Sequence, residues 1–154
     1  MTISKNTILG DIFDTVIARL KSQVTSVTTK SLDVFTVQTY TSSFPDKEID
    51  NKSAYPILIL EPPEIKWENH TFTKKKAIGS FTIDVYATNL EASNLFLDKI
   101  IDVIETYRTT LNSLGLFFVQ LSDTNYDNVQ RGGFKVHRRG CKFDFRYDFT
   151  KTRP

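Results

Sequence analysis

The chain has 154 residues, of which 40% are hydrophobic. This length fits one compact domain over residues 1–154, which would bury roughly two-thirds of its unfolded surface. Twenty basic and 18 acidic residues give a formal charge of +2, which is too small to indicate nucleic acid by itself. No segment approaches the ~20 apolar residues of a membrane span and the first residues lack a secretion pattern, so we expect synthesis in the cytosol and no membrane partner.

The first third of the chain predicts a helix followed by a strand. Apolar residues recur at three- and four-residue intervals over residues 6–24, which is typical of an amphipathic helix packed by one stripe. The Thr- and Ser-rich segment Thr25–Ser31 has no apolar period and predicts a connector. Leu32–Tyr40 is rich in β-branched and aromatic residues, so it predicts a strand, and the polar segment Ser42–Ser53 predicts an exposed loop.

Two further strands are predicted in the middle of the chain. Tyr55–Leu60 is a short apolar run, and Pro62 and Pro63 end it because proline cannot donate to a sheet ladder. From Lys75 to Tyr86 the residues alternate, which predicts a long strand with one buried face.

A long second helix follows. Thr88 and Glu91 stand three residues apart before a helical pattern, which predicts a capping box. One apolar stripe continues to Leu114, and Gly115 predicts a left-handed terminator after it. The stripe consists of Leu97, Ile100, Ile101, Ile104, Tyr107, Leu111 and Leu114.

The C-terminal part predicts two strands joined by a polar loop. Leu116–Leu121 predicts a strand and Ser122–Gly133 a loop. Residues Arg139–Phe149 alternate between an aromatic side and a charged side, which predicts a long last strand with Cys141 in the core and a loose tail over residues 150–154. The fold class is therefore α+β: a single mostly antiparallel, mixed β-sheet covered on one face by two helices, with long charged loops.

Catalytic chemistry finds little support in the sequence. Glu64-Ile65-Lys66 contains the Glu-x-Lys element of metal-dependent nucleases, but the prolines before it predict a broken strand and hence a solvated loop. The histidines, His70 and His137, have no second ligand at metal-binding spacing, so we expect solvated side chains. We therefore predict no enzyme activity, no metal site and no cofactor.

Two basic clusters and one tryptophan are the candidate interaction residues. Lys74, Lys75 and Lys76 close one predicted loop, and Arg131, Arg138 and Arg139 surround the turn into the last strand. Trp67 lies outside both helical stripes and is a candidate interface anchor. Together with acidic segments on the same chain, these clusters favour self-complementary subunit contacts at least as much as nucleic acid.

The order of these elements resembles the tail-terminator, or tail-completion, proteins of long-tailed double-stranded DNA phages. The residues that carry the resemblance are the Tyr55-Pro56 strand entry with its Ile-Leu-Ile-Leu continuation, the Ile-Asp-Val-Tyr-Ala strand at 83–87, the long helix and the alternating last strand. Other phage neck proteins share this layout.

The resemblance implies a virion protein at the head-proximal end of a tail. Its partners would be copies of itself in a ring, typically of six, the tail tube protein and a head connector or neck protein, with DNA passing through the lumen. We expect the Ile65–Lys76 and Asn125–Arg138 segments to be its contact loops. The open alternatives are another connector protein and a nucleic-acid-binding module that uses the basic segments.

Overall fold

A computed structural model describes residues 3, 7–44, 51–69, 74–131 and 133–150, with the backbone alone described at residues 69, 74, 75, 131, 149 and 150. Two helices lie on one face of a six-stranded sheet, and a separate two-stranded hairpin follows the first helix. The predicted α+β class is confirmed. Within the described residues, neither helix is long and apolar enough to cross a membrane.

The helices form where the apolar stripes predict them. Helix α1 spans Ile8–Gln23 and buries a stripe that includes Ile12, Val16 and Leu20. Helix α2 spans Leu90–Ser113. Gly115 follows α2 with a φ of +109°, which confirms the left-handed terminator.

The start of α2 corrects the predicted capping box. The N-cap is Asn89, whose Oδ1 accepts a hydrogen bond from the Ala92 amide at 2.9 Å. Glu91 instead accepts from the backbone amide of Lys30 at 3.3–3.4 Å. The prediction was wrong because Asn, one residue later, also caps well and here sits in the extended conformation that a cap requires.

The strands are shorter and more numerous at the N-terminal side than predicted. The segment predicted as one strand over Leu32–Tyr40 is divided between β2 (Val34–Thr36) and β3 (Thr39–Thr41). Strand β1 (Ser26–Thr28) lies in the predicted connector and pairs with β2. Strand β4 (Ile57–Leu60) pairs in parallel with β3, which makes the sheet mixed.

Strand β6 (Lys74–Ala87) organises the sheet. Its whole length pairs with β8 (Phe134–Thr150) along one edge, and its other edge pairs with β5 (Glu64–Asn69) and then with β4, end to end. Strand β7 (Leu116–Arg131) pairs with β8 and forms the opposite edge of the sheet.

Two segments predicted as loops are therefore strands. Glu64–Asn69 begins directly after the two prolines, and residues 122–131 continue β7 to the hairpin turn. Residues 45–50 of the predicted loop at Ser42–Ser53 lie outside the described residues, and a short 3-10 helix forms at Lys52–Ala54. His70, whose side chain was expected to be solvated, also lies outside the described residues.

Both faces of the sheet carry a core. The larger core lies under the helices and includes Phe81, Phe143 and Cys141, as the alternation predicts. Burial raises the pKa of the Cys141 thiol to about 12, so it is a packing residue. A smaller core lies on the other face, around Tyr55 and Val136.

Candidate interaction surface

The β7–β8 hairpin extends beyond the rest of the sheet. Pairing between β6 and β8 ends at Ala87 and His137, whereas pairing between β7 and β8 continues to Arg131 and Phe134. Every residue from Ser122 to Asn128 is exposed, and since side chains alternate along a strand, both faces of this segment meet solvent. We call Ser122–Gln130 the exposed half of β7.

The helix side of the hairpin carries a stack of aromatic and basic side chains. The guanidinium of Arg139 lies 4.4 Å from the ring centre of Tyr126, and the rings of Tyr126 and His137 stack at 6.0 Å. Arg139 also donates to Asn94 Oδ1 on α2 at 2.8 Å, which holds the hairpin base against the helix. The Tyr126 hydroxyl bonds to His137 Nδ1 at 2.7 Å.

His137 is therefore not the freely solvated side chain that its position in the sequence suggested. It is half-buried, and burial lowers its pKa, with Lys135 and Arg139 adding repulsion of the charged form.

The opposite side of the hairpin base holds a buried ion pair. Arg138 Nη2 lies 3.3 Å from Asp84 Oδ1, and the Asp84 residue is 2% exposed. Gly140 makes room for this carboxylate, because a Cβ there would lie 2.2 Å from Asp84 Oδ1 and 2.7 Å from Asn125 Oδ1. Sequence reasoning missed Asp84, whose position on the polar side of an alternating strand gave no sign of burial.

The ionisation of Asp84 is strongly perturbed. Burial raises its pKa to about 6, and a hydrogen bond with the Glu61 side chain also raises it, while the positive charge of Arg138 opposes the shift. The ion pair holds the Arg138 guanidinium, whose side chain is 29% exposed, against the sheet.

The face of the sheet opposite α1 and α2, which we call the uncovered face because neither of these helices lies on it, bears a groove beside a β-bulge. The groove, about 530 Å³ in volume, includes Ile78, Phe118 and Arg146 in its walls. Phe118 has a φ of +55° and is 70% exposed, at the point where the register of β7 against β8 shifts. The left-handed backbone of Phe118 is unfavourable for a non-glycine residue, and its exposed ring gains little packing in return. Packing within the chain therefore does not explain this conformation.

Strand β5 carries the Glu-x-Lys element and the tryptophan on opposite faces. Trp67 pairs with Ala77 on the helix side and is 40% exposed, while Glu64, Lys66 and Glu68 lie on the uncovered side. The expectation of a solvated loop at Glu64-Ile65-Lys66 was wrong, because β6 supplies the backbone partners that rebuild a strand after the prolines. Among the described residues, no group of three His, Cys, Asp or Glu side chains could hold a metal ion.

The two predicted basic clusters lie at opposite ends of β6. Lys76 forms an ion pair with Glu68, with Nζ 3.6 Å from Oε2. In the pairing of β6 with β8, Lys76 lies opposite Asp148 and Tyr86 lies opposite Arg138. Lys76 and Tyr86 are ten positions apart on β6, or roughly 33 Å at the rise of a strand. The side chains of Lys74, Lys75 and Arg131 lie outside the described part of the structure.

The structure therefore separates the predicted interface residues into a β5–β6 group with Trp67 and Lys76, and a hairpin-base group with Arg138 and Arg139. Phe134, the first residue of β8, packs against Tyr55 in the smaller core, with ring centres 5.8 Å apart.

No protein-family model and no curated protein sequence matches the chain. Among solved structures, the chain is similar to a chain of the virion of a native gene transfer agent particle, at 11% sequence identity and a TM-score of 0.48. This similarity covers 73% of the present chain and 79% of the other chain. A likeness of this extent does not assign a function.

Proposed function

We propose that this protein is a structural subunit of a phage-like virion, and specifically a tail terminator that forms a ring of about six copies on the head-proximal end of a tail tube. The observation that carries the proposal is the exposed half of β7. A long edge strand with solvent on both faces leaves backbone N–H and C=O groups unpaired along its outer side. Natural proteins either protect such an edge or use it for association. The type of assembly, a ring on a tail tube, is proposed from the resemblance of the sequence to tail-terminator proteins.

The mechanism is geometric. A ring built by head-to-tail contacts closes when the rotation between subunits closes, and its two sides are then different surfaces. One side complements the last ring of tube protein. The other side differs from the tube and meets the connector, so no further tube subunit finds a site and growth stops without a chemical step.

Ring formation is tested by light scattering on the purified chain over a wide concentration range. We expect a species close to six times the subunit mass of 17.7 kDa that grows at the expense of the monomer as concentration rises. A monomer at every concentration, including after addition of tail tubes, contradicts the ring.

Termination is tested by adding the protein to polymerising tail tube protein and measuring tube length by electron microscopy. We expect shorter tubes with a cap at one end and a length that falls as the ratio of terminator to tube protein rises. An unchanged length distribution, despite a ring in solution, would leave a connector role and remove the terminator role.

The competing function is nucleic-acid binding. It requires basic side chains on a shared surface, and the described part of the structure places the two clusters at opposite ends of β6, with Arg138 and Arg139 engaged in internal contacts. Duplex DNA affinity that falls steeply with salt and is lost when Lys74, Lys75 and Lys76 are replaced by alanine together would favour it.

A further inference from the structure

Two open strand edges of the described sheet are suited to each other. On one side of the sheet, two strands have an outer edge without a strand partner among the described residues: β3, which pairs with β4, and β5, which pairs with β6. β5 has six residues and β3 has three, so β5 is the longer open edge. On the other side, β8 is the one strand of the described residues that pairs with β7. Each edge therefore presents backbone N–H and C=O groups that a further strand could pair with.

Strand directions make these edges compatible in identical copies. Strands β5, β6, β8 and β7 are neighbours in that order, and each is antiparallel to the next. β7 consequently runs opposite to β5. When copies follow one another in the same orientation, β7 of one copy lies antiparallel to β5 of the next, and the helices of all copies stay on one side.

We propose that the subunit junction is a continuous antiparallel sheet in which β7 of one copy pairs with β5 of the next, with Tyr126 opposite Trp67 and Asp127 opposite Lys66. The proposal rests on the proposed ring and deepens it by naming the contact. The occupant of the β7 edge is thus a second copy of this chain.

The side chains select this register. Tyr126 and Trp67 both lie on the helix side of their strands and each is 40% exposed, so they can form a cross-strand aromatic pair. Asp127 and Lys66 both lie on the uncovered side, and the Lys66 side chain is 81% exposed. In the same register, Glu68 faces the neutral Asn125.

Other registers are worse. A shift of two residues in either direction places Glu64 or Glu68 opposite Asp127, and like charges directly opposite each other destabilise a strand pair. A shift of one residue brings helix-side residues of one strand opposite uncovered-side residues of the other, which a pleated sheet does not allow.

Cysteine cross-linking tests the junction directly. Residues opposite each other in an antiparallel pair have Cα atoms about 4.5–5.5 Å apart, within the range of a disulfide. We expect mild oxidation of the Lys66→Cys, Asp127→Cys double variant to give a reducible ladder of covalent oligomers. Each single variant alone should give none, and the two singles mixed should give dimers only. The native Cys141 is buried and does not interfere.

Matched controls fix the register and the symmetry. The Glu64→Cys, Asp127→Cys variant, two residues out of register, should cross-link at least tenfold more slowly. Dimers from Asp127→Cys alone would show that two β7 strands pair with each other, and this result would overturn the junction.

A charge exchange supplies a second, independent test. Lys66→Asp or Asp127→Lys should each raise the dissociation constant of assembly about tenfold, because each places like charges opposite each other. The double exchange should restore it. Both positions are exposed, and far-UV circular dichroism checks that the monomers remain folded.

The outcomes separate the two proposals. A wild-type ring by light scattering, with no ladder and no effect of the charge variants, overturns the junction and leaves the ring. A wild-type chain that stays monomeric at every concentration, with and without tail tubes, overturns the ring and the junction together.

Discussion

Asp84 is an acidic side chain whose environment favours its protonated form. The carboxyl group is buried beside Glu61, and the nearby Arg138 does not fully offset the loss of hydration. Its pKa in the folded chain is therefore about 6, above the value near 4 of an exposed aspartate.

This shift predicts a pH dependence of stability that is opposite to that of a salt-bridged surface aspartate. The folded state binds the Asp84 proton more tightly than the unfolded state does. The stabilisation of the fold by this protonation is therefore complete below about pH 4 and is lost as the pH rises through 6. We expect the free energy of unfolding of the wild type, relative to Asp84→Asn, to fall by on the order of 2 kcal/mol between pH 4 and pH 6.5.

Urea unfolding of both proteins across that range measures the difference, because the contributions of carboxyl groups that do not contact Asp84 cancel. A difference that is constant with pH would contradict the raised pKa. A difference that rises with pH would show that Arg138 dominates the site.

Phe118 is a second residue whose backbone conformation is expected to lower the free energy of unfolding. A side chain in the left-handed region costs roughly 1–2 kcal/mol relative to glycine, and this ring is mostly in solvent, so it gains little from burial. We expect Phe118→Gly to stabilise the isolated chain by up to about 1 kcal/mol, after allowance for the greater freedom of glycine in the unfolded state.

The matched control is Phe117→Gly, at a neighbouring residue that is 40% exposed and lies outside the left-handed region. This change should destabilise the chain in the same thermal-denaturation assay, since it removes packing and relieves no strain. Equal destabilisation by both substitutions would show that the Phe118 conformation carries no cost.

At the scale of elements, substitutions at the start of α2 distinguish the Asn89 cap of the structure from the Thr88 capping box that the sequence predicted. Asn89 accepts the hydrogen bond from the Ala92 amide, so Asn89→Ala should lower the free energy of unfolding by about 1 kcal/mol. Thr88→Ala tests the capping box that the sequence favoured and should have an effect of a few tenths of a kcal/mol at most. Chemical denaturation of the two variants compares them, and the reverse order would restore Thr88 as the cap.

The elements that sequence reasoning missed share a physical cause. Periodicity detects a strand when one face is buried, as in the alternation that identified β8 with Phe143 and Phe145 in the core. The exposed half of β7 buries neither face, so its residues show no alternation and resemble a loop. Its strand structure comes from pairing with β8, a contact between residues that no local pattern encodes.

The same reasoning explains β5. Two prolines and a charged sequence are typical of a loop, yet Glu64–Asn69 forms six successive pairs with β6. The helices and the buried strands could be predicted because each presents an apolar face. For the candidate interface, the sequence could indicate only which segments take part. It could not indicate that they are edge strands, because an edge strand is defined by the pairing of the whole sheet.

At the scale of the whole molecule, one sheet joins both cores. The larger core packs on the helix side and the smaller core on the other side of the same strands, and β6 and β8 run through the full length of the described sheet. Loss of the β6–β8 pairing would expose both cores together. We therefore expect the chain to unfold as a single cooperative domain.

The single tryptophan makes this expectation testable at an edge on the side of the sheet opposite β7. Trp67 lies on β5, so its fluorescence reports that edge, whereas far-UV circular dichroism reports all strands and helices. Because β5 is held by backbone pairing with β6 along its whole length, we expect the two urea transitions of the monomer to coincide in midpoint and slope. An earlier fluorescence transition would show that β5 detaches before the rest of the sheet. In that case ring formation, by pairing β5 with a neighbouring copy, should move the fluorescence transition to higher urea and bring the two curves together.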